Sequence, residues 1–524
     1  MHSFIDNSHN IQSSILWIPL SLSSALLLNL SFPCPGVSVL AWITLVPLYI
    51  VLMTGPLKRA ILGGIITGLF FNIIYLFWVK EYKHPASLPG VVVGEVACFL
   101  FAVILSWFLY HQVHFLRELA LPLGWLTIDY CKTIGYLAFP WGILGYTQYS
   151  NVLMIQSASI FGIWGISFLI YYCNATVAAL TLNLLKKRVE TRSIVNAAVV
   201  CVLILLSIIF GFITLGETKT EGKTKRVALV QPSFDPWSPD LEGNIMMEIA
   251  LTQRALEADP DLIVWSESSV PFPFDFYLEK NYRYARLIYD YFTSIRKPIL
   301  FGTTEFMGEY SDGEFDGDFY NVAIFYNRGR KEGIYRKIHL VPFGEWFPYK
   351  RLFPWVVRIL EEAGAGDFKP GTEYSIFQCK SLTFSSLICY EDVFGNLARK
   401  FVQKGSRLLV NITNDAWTNS PKFELQHFSI SVFRSIENRV SLVRCANGGV
   451  TACVDPYGRV IGSLPLFTND LLVCEVPISS GARLTFYTRY GDLLPWIVIV
   501  VAAALVIVAV VKKSIDTIQN KNNM

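Results

Sequence analysis

Hydrophobic positions along this chain follow two regimes. In the first, long apolar stretches run with few polar breaks, and about 20 such residues in a helix span the ~30 Å of hydrocarbon in a bilayer. These stretches are Ile15–Ser31, Val37–Met53, Ala60–Val79, Val91–Tyr110, Leu119–Ala138, Met154–Leu184 and Ile194–Leu215, and an eighth runs from Leu493 to Val511. The pattern predicts seven transmembrane helices over 1–216 and one more over 491–524, which ends in a tail. No Lys or Arg precedes Ile15 and no small-x-small site follows the first stretch, so it reads as an uncleaved helix and not a signal peptide.

Between residues 217 and 490 the regime changes. Short apolar runs bounded by turn residues predict strands at Arg226–Gln231, Leu262–Trp265, Ile299–Thr303, Val322–Tyr326, Phe384–Ile388, Leu408–Ile412, Ser441–Cys445, Thr451–Asp455 and Leu471–Val476. Amphipathic stretches at Glu242–Ala258, Lys280–Ile295, Phe394–Gln403 and Phe423–Asn438 predict helices between them. Strands interleaved with helices imply a layered α/β domain, here attached to an all-α membrane part.

Composition supports this division. Of 524 residues, 53% are hydrophobic and only 16% charged, against about 25% charged in soluble domains. A net charge of +3 without a clustered basic stripe argues against a nucleic-acid surface. The ten cysteines form no Cys-x-x-Cys pair and the seven histidines no His-x-x-x-His pair, so no metal is expected, and the acyl-transfer chemistry below needs no cofactor. Basic residues at Lys58-Arg59, Arg117, Lys186-Lys187-Arg188, Arg192 and Lys512-Lys513 fall on one side of an eight-span layout; Lys80 and Lys83 dissent. By the positive-inside rule the N-terminus is then cytoplasmic and 217–490 lies across the membrane.

Three residues carry candidate chemistry. Cys389 follows the apolar run ending at Ile388 and precedes a predicted helix whose N-terminal end would lower its pKa. Glu267 leaves the run Leu262–Trp265, and Lys337 sits in Tyr335-Arg336-Lys337. A thiol, a carboxylate that can move its proton and an ammonium that can hold an oxyanion are the parts of an acyl-transfer site. Taken singly, each has an ordinary explanation as a buried thiol, a helix cap or a solvated lysine.

The order Glu267, Lys337, Cys389, with Ile338-His339-Leu340-Val341-Pro342-Phe343-Gly344-Glu345 after the lysine and Tyr390-Glu391-Asp392 after the thiol, resembles the nitrilase (carbon–nitrogen hydrolase) superfamily. The apolar half, with Phe139-Pro140-Trp141-Gly142 and Phe161-Gly162-Ile163-Trp164-Gly165, resembles its membrane branch, the apolipoprotein N-acyltransferases. That resemblance implies an αββα sandwich joined to about eight transmembrane helices, with Glu267 as proton acceptor, Lys337 as oxyanion and thiolate stabiliser and Cys389 as nucleophile. It further implies supporting roles for Glu345 and Glu391, and aromatics near the acyl pocket at Trp237 and Tyr390. The implied activity moves an acyl chain from a phospholipid, through a Cys389 thioester, to the N-terminal amine of a diacylated apolipoprotein. The implied enzyme is a monomer in a bacterial inner membrane with its catalytic domain in the periplasm. The chain departs from the pattern at Ser266, where many relatives have Pro, and at Thr418-Asn419, where Phe-Gly is usual. A membrane-tethered amidase that uses water, and a transporter or scaffold with a decayed domain, are the alternative readings.

Overall fold

The computed structural model describes residues 16–34, 36–81, 87–188, 190–216, 223–235, 238, 240–347, 350, 354–355, 358, 366–380, 382–479, 481 and 483–522. The chain divides into two compact units, one of Met1–Lys80, Pro85–Ile213 and Asp492–Met524, the other of Glu81–His84 and Thr214–Gly491.

The second unit is built on two sheets. The first has the strand order β13-β1-β2-β4-β5-β6, with β3 beside β4, from β1 (Thr224–Gln231), β2 (Leu262–Trp265), β3 (Val270–Pro273), β4 (Ile299–Ser311), β5 (Glu314–Asn327), β6 (Arg330–Arg336) and β13 (Asp470–Pro477). The second runs β12-β11-β10-β9-β8-β7, from β7 (Phe377–Cys379), β8 (Leu382–Ile388), β9 (Leu408–Asn414), β10 (Ser441–Asn447), β11 (Ala452–Val454) and β12 (Val460–Ser463). The central strands of each are parallel, β1-β2-β4 in one and β8-β9-β10 in the other. All four residues of β2 are buried, as expected of a strand covered on both faces.

The sheets face each other: the Cys445 thiol on β10 donates to the carbonyls of Val230 on β1 and Val264 on β2, each at 3.2 Å. Helices Leu241–Leu256 and Arg283–Ile295 cover the outer face of the first sheet, the second burying Ala285, Ile288 and Phe292 at helical spacing against Trp265 and Phe301. Helices Gly395–Gln403 and Pro421–Asn438 flank the second sheet. The layers therefore run helix, sheet, sheet, helix. Strands β3, β6, β7 and β12 were not foreseen, because they are short or, like Arg330–Arg336, carry mostly polar residues.

The first unit is helical. Five described helices are long and apolar enough to cross a membrane: Leu57–Tyr75, Ser87–Gln112, Ile163–Leu185, Thr191–Gly216 and Leu493–Asn520. The expected count of about eight is therefore not reproduced. Trp17–Ser31 and Arg117–Cys131 have 15 residues each, which rise only about 22 Å. The second expected span breaks into a 3-10 turn, Ser38–Trp42, and a short helix, Val46–Thr54. Inside this unit the few charges are paired: Lys132 Nζ lies 2.5 Å from Glu95 Oε2 and donates to the Trp141 carbonyl at 2.7 Å, while the Tyr171 hydroxyl donates to Asp129.

Candidate active site

Three strand ends deliver the three residues. Glu267 lies two residues past β2, Lys337 directly after β6 and Cys389 directly after β8. The turn carrying Glu267 runs so close to β4 that a Cβ on Gly302 would sit 2.6 Å from the Glu267 Cα, so only glycine fits there. Cys389 and Ser268, the residue after Glu267, both have left-handed backbone, at φ 50° and 54°. Non-glycine residues rarely take such angles unless the surroundings impose them.

A buried charge cluster joins these ends. Lys337 Nζ lies 3.2 Å from Glu267 Oε1 and 2.8 Å from Glu345 Oε1. Asn321 on β5 donates to the same two oxygens, at 2.8 Å each. The Asn414 amide donates to Glu267 Oε2 at 2.9 Å, and the Val341 amide to Glu345 Oε2 at 2.9 Å. Glu391, fully buried, ties the lysine and thiol segments together. Its Oε1 accepts from the Tyr335 hydroxyl and the Ile338 and His339 amides at 2.7, 2.7 and 3.0 Å, and its Oε2 from the Ile388 amide at 2.8 Å.

Burial sets the protonation states. It pushes the Glu267 carboxyl above its ordinary value, with Lys337 opposing and Glu345 reinforcing. Burial alone would lower Lys337, but Glu267, Glu345 and Cys389 outweigh it and hold the ammonium protonated well above its ordinary value. Burial, against its hydrogen bonds, pushes Glu391 up to about 7. The Cys389 thiol is raised well above its ordinary value, first by burial and then by Glu267, with Lys337 only partly compensating. This corrects the expectation of a thiol lowered by a helix end. Cys389 itself opens the 3-10 turn Cys389–Val393, the longer helix starts only at Gly395, and desolvation dominates. The resting sulfur is a thiol, and its deprotonation requires a base.

A second cluster lies behind the thiol. Arg444 donates through Nη1 to Asn411 Oδ1 at 2.8 Å and to Asp392, and through Nη2 to Asp415 Oδ2 at 2.6 Å. His427 Nε2 meets Asp392 Oδ1 at 2.9 Å, and Asn411 Nδ2 donates to the Cys389 carbonyl at 3.1 Å. All of these side chains are buried.

The supporting residues are placed unevenly. Glu345 and Glu391 stand as described, and Tyr390 is buried with its ring edge-to-face against Phe394 at 5.2 Å. Trp237 lies outside the described residues. A cavity of about 300 Å³ opens beside the Glu267 turn, lined by Phe234, Leu241, Ser268, Phe272, Tyr282 and Asn414 among others. Sequence reasoning missed Asn321, Tyr335, Asp392, Asp415 and His427. The run Asn411-Ile412-Thr413-Asn414-Asp415 and the start of Arg444-Cys445-Ala446 were the legible signals for part of this set. At Thr418-Asn419, Asn419 takes φ 43°, a conformation glycine adopts freely and asparagine tolerates. Among the described residues no group of three or more His, Cys, Asp or Glu is arranged to hold a metal ion.

The fold and the family comparisons place the second unit among the carbon–nitrogen hydrolases, whose family profile matches residues 226–485. The profile of the apolipoprotein N-acyltransferase N-terminal domain matches residues 24–176 in the helical unit. The chain belongs to the apolipoprotein N-acyltransferase family. It is 34% identical to the apolipoprotein N-acyltransferase of Geobacter metallireducens, over 95% of this chain and 96% of that protein. It is 31% identical to apolipoprotein N-acyltransferase 1 of Treponema denticola, over 90% and 92%. Among solved structures, an amidase from Nesterenkonia sp. is similar with a TM-score of 0.35 and 18% identity, covering 49% of this chain and 92% of its own.

Proposed function

We propose that this membrane protein, an acyltransferase by family, moves an acyl chain from a phospholipid through Cys389 to the N-terminal amine of diacylated apolipoproteins. The observation that carries the mechanism is the buried Lys337 ammonium held between Glu267 and Glu345 beside a protonated thiol. Glu267 takes the Cys389 proton as sulfur attacks the ester carbonyl, and Lys337 stabilises the oxyanion. Collapse expels the lysophospholipid alkoxide, which receives the proton from Glu267 and leaves a thioester on Cys389. The α-amine of the diacylglyceryl-cysteine then attacks the thioester and gives its proton to Glu267. The Cys389 sulfur leaves as thiolate, takes that proton back and restores the resting site.

The five long apolar helices support placing this chemistry at a bilayer surface, where acyl donors are concentrated. The loop charges support an inner-membrane enzyme with its catalytic unit in the periplasm. That orientation requires an odd number of crossings before residue 217, so at least one of the shorter N-terminal helices must cross as well. The test is to incubate purified protein with phospholipid and a diacylated lipopeptide. Triacylated lipopeptide, with an acyl mass on the Cys389 peptide, is the expected result; free fatty acid without lipopeptide product would make the protein a hydrolase instead.

A further inference from the structure

The catalytic unit contains five cysteines, and two of them lie together away from the candidate site. Cys453, on β11 of the second sheet, is fully buried. Cys474, on β13 of the first sheet, is 7% exposed. Their thiols are neighbours across the space between the sheets, near enough to shift each other's titration. Glycine makes this meeting possible. Gly462 on β12 is the register partner of Cys453, and a Cβ on Gly462 would lie 2.7 Å from Cys474 Sγ. The sulfur of Cys474 thus occupies the place that a side chain opposite Cys453 would need. Nearby Cys445 is committed elsewhere, to the carbonyls of Val230 and Val264.

We infer that Cys453 and Cys474 form a disulfide that joins the two sheets in the mature enzyme. The inference rests on the proposed periplasmic orientation, since oxidising compartments are where such bonds persist. The two thiols differ in the way that exchange chemistry needs. The neighbouring Cys453 thiol holds Cys474 below its ordinary value, whereas Cys379, Cys389, Cys445 and Cys453 are all raised. Cys474, the more exposed and more acidic, attacks a protein or small-molecule disulfide, forms a mixed disulfide and releases one thiolate. Cys453 then attacks the Cys474 sulfur and expels the second thiolate. Two cysteine thiols lose two electrons and two protons, and the oxidant disulfide becomes a dithiol. Closing a loop of about 20 residues constrains the unfolded chain and clamps β12 between its neighbours.

Cells are lysed in N-ethylmaleimide, and the full-length protein is purified in detergent and digested without reductant. The expected product is a Cys453–Cys474 linked peptide in the mass spectrum. Dithiothreitol should lower the melting temperature by on the order of 5 °C. Cys474→Ser should remove that reductant dependence and leave acylation of Cys389 within about twofold of wild type. Both cysteines recovered as alkylated thiols, or a Cys445–Cys453 link, would overturn the inference. If the bond is missing from cells but closes when reduced, purified protein meets oxidised glutathione, the fault lies in the compartment assigned to the catalytic unit. If it closes in neither, the pair itself is wrong.

Discussion

Two buried charge clusters flank Cys389, and they differ in how their charges balance. In the one behind the thiol, the Arg444 guanidinium and the His427 imidazole face the carboxylates Asp392 and Asp415. Burial alone would raise Asp415, but Arg444 and His427 overcome it and hold that carboxyl well below its ordinary value. In the other cluster one ammonium, Lys337, serves both Glu267 and Glu345, and Glu267 stays above its ordinary value. The Arg444–Asp415 pair fixes geometry, because the guanidinium holds that carboxylate ionised. An under-compensated cluster leaves Glu267 raised above its ordinary value, which suits it to accept and return a proton. Burial is common to both; the direct Arg444 pairing that lowers Asp415, against the shared Lys337 that leaves Glu267 raised, separates them.

Glu267→Gln is the strongest way to break this comparison. The amide cannot accept the thiol proton, so single-turnover acylation of Cys389, read by mass spectrometry, should fall on the order of a thousandfold while the melting temperature holds. Near-normal acylation would remove Glu267 from its role. Arg444→Met should do the opposite. Asp392 and Asp415 lose a buried partner, which costs about 3–5 kcal/mol of stability, and acylation per folded molecule should change much less. A stable but inactive Arg444→Met protein would place that arginine in the reactive cluster.

The pH profile sharpens the same distinction. Glu267 titrates above its ordinary 4.5, so its base form, and with it the acylation rate, should grow as pH rises through that raised value. Cys389 is raised well above 9.0, so thiolate does not accumulate near neutrality and the rate should then stay level toward pH 9. A tenfold rise per pH unit from 7 to 9 would mean that free thiolate attacks and Glu267 is not the base. The smallest effect is expected at the site's rim. Asn419→Gly should leave stability within about 0.5 kcal/mol, whereas Asn419→Ala, forced into left-handed backbone, should cost about 1 kcal/mol. Equal stability of the two would argue against a backbone requirement at that turn.

The sequence by itself determined the two regimes of the chain, and it did so because burial writes a periodicity. Continuous apolar runs such as Thr191–Gly216 must face lipid or core on all sides, and runs such as Leu262–Trp265 must lie between two layers. It also marked Glu267 and Cys389, each past a predicted strand, while Lys337 was marked by the motif Ile338–Glu345 that follows it. Crossing number escaped it, because Val37–Met53 is mostly apolar yet breaks into a 3-10 turn and a short helix, which hydropathy does not register. Strand β6, which delivers Lys337, escaped it because its exposed start, Arg330-Lys331-Glu332, hides the alternation. Only the tertiary structure decided the thiol's protonation. Local sequence offers a helix end that would lower it, but the three-dimensional site half-buries the thiol beside the Glu267 carboxylate, and desolvation outweighs the dipole. The same holds for Asn321, Asp415 and Arg444: their partners are 24 to 54 residues away in the chain, and only folding brings them within hydrogen-bonding reach.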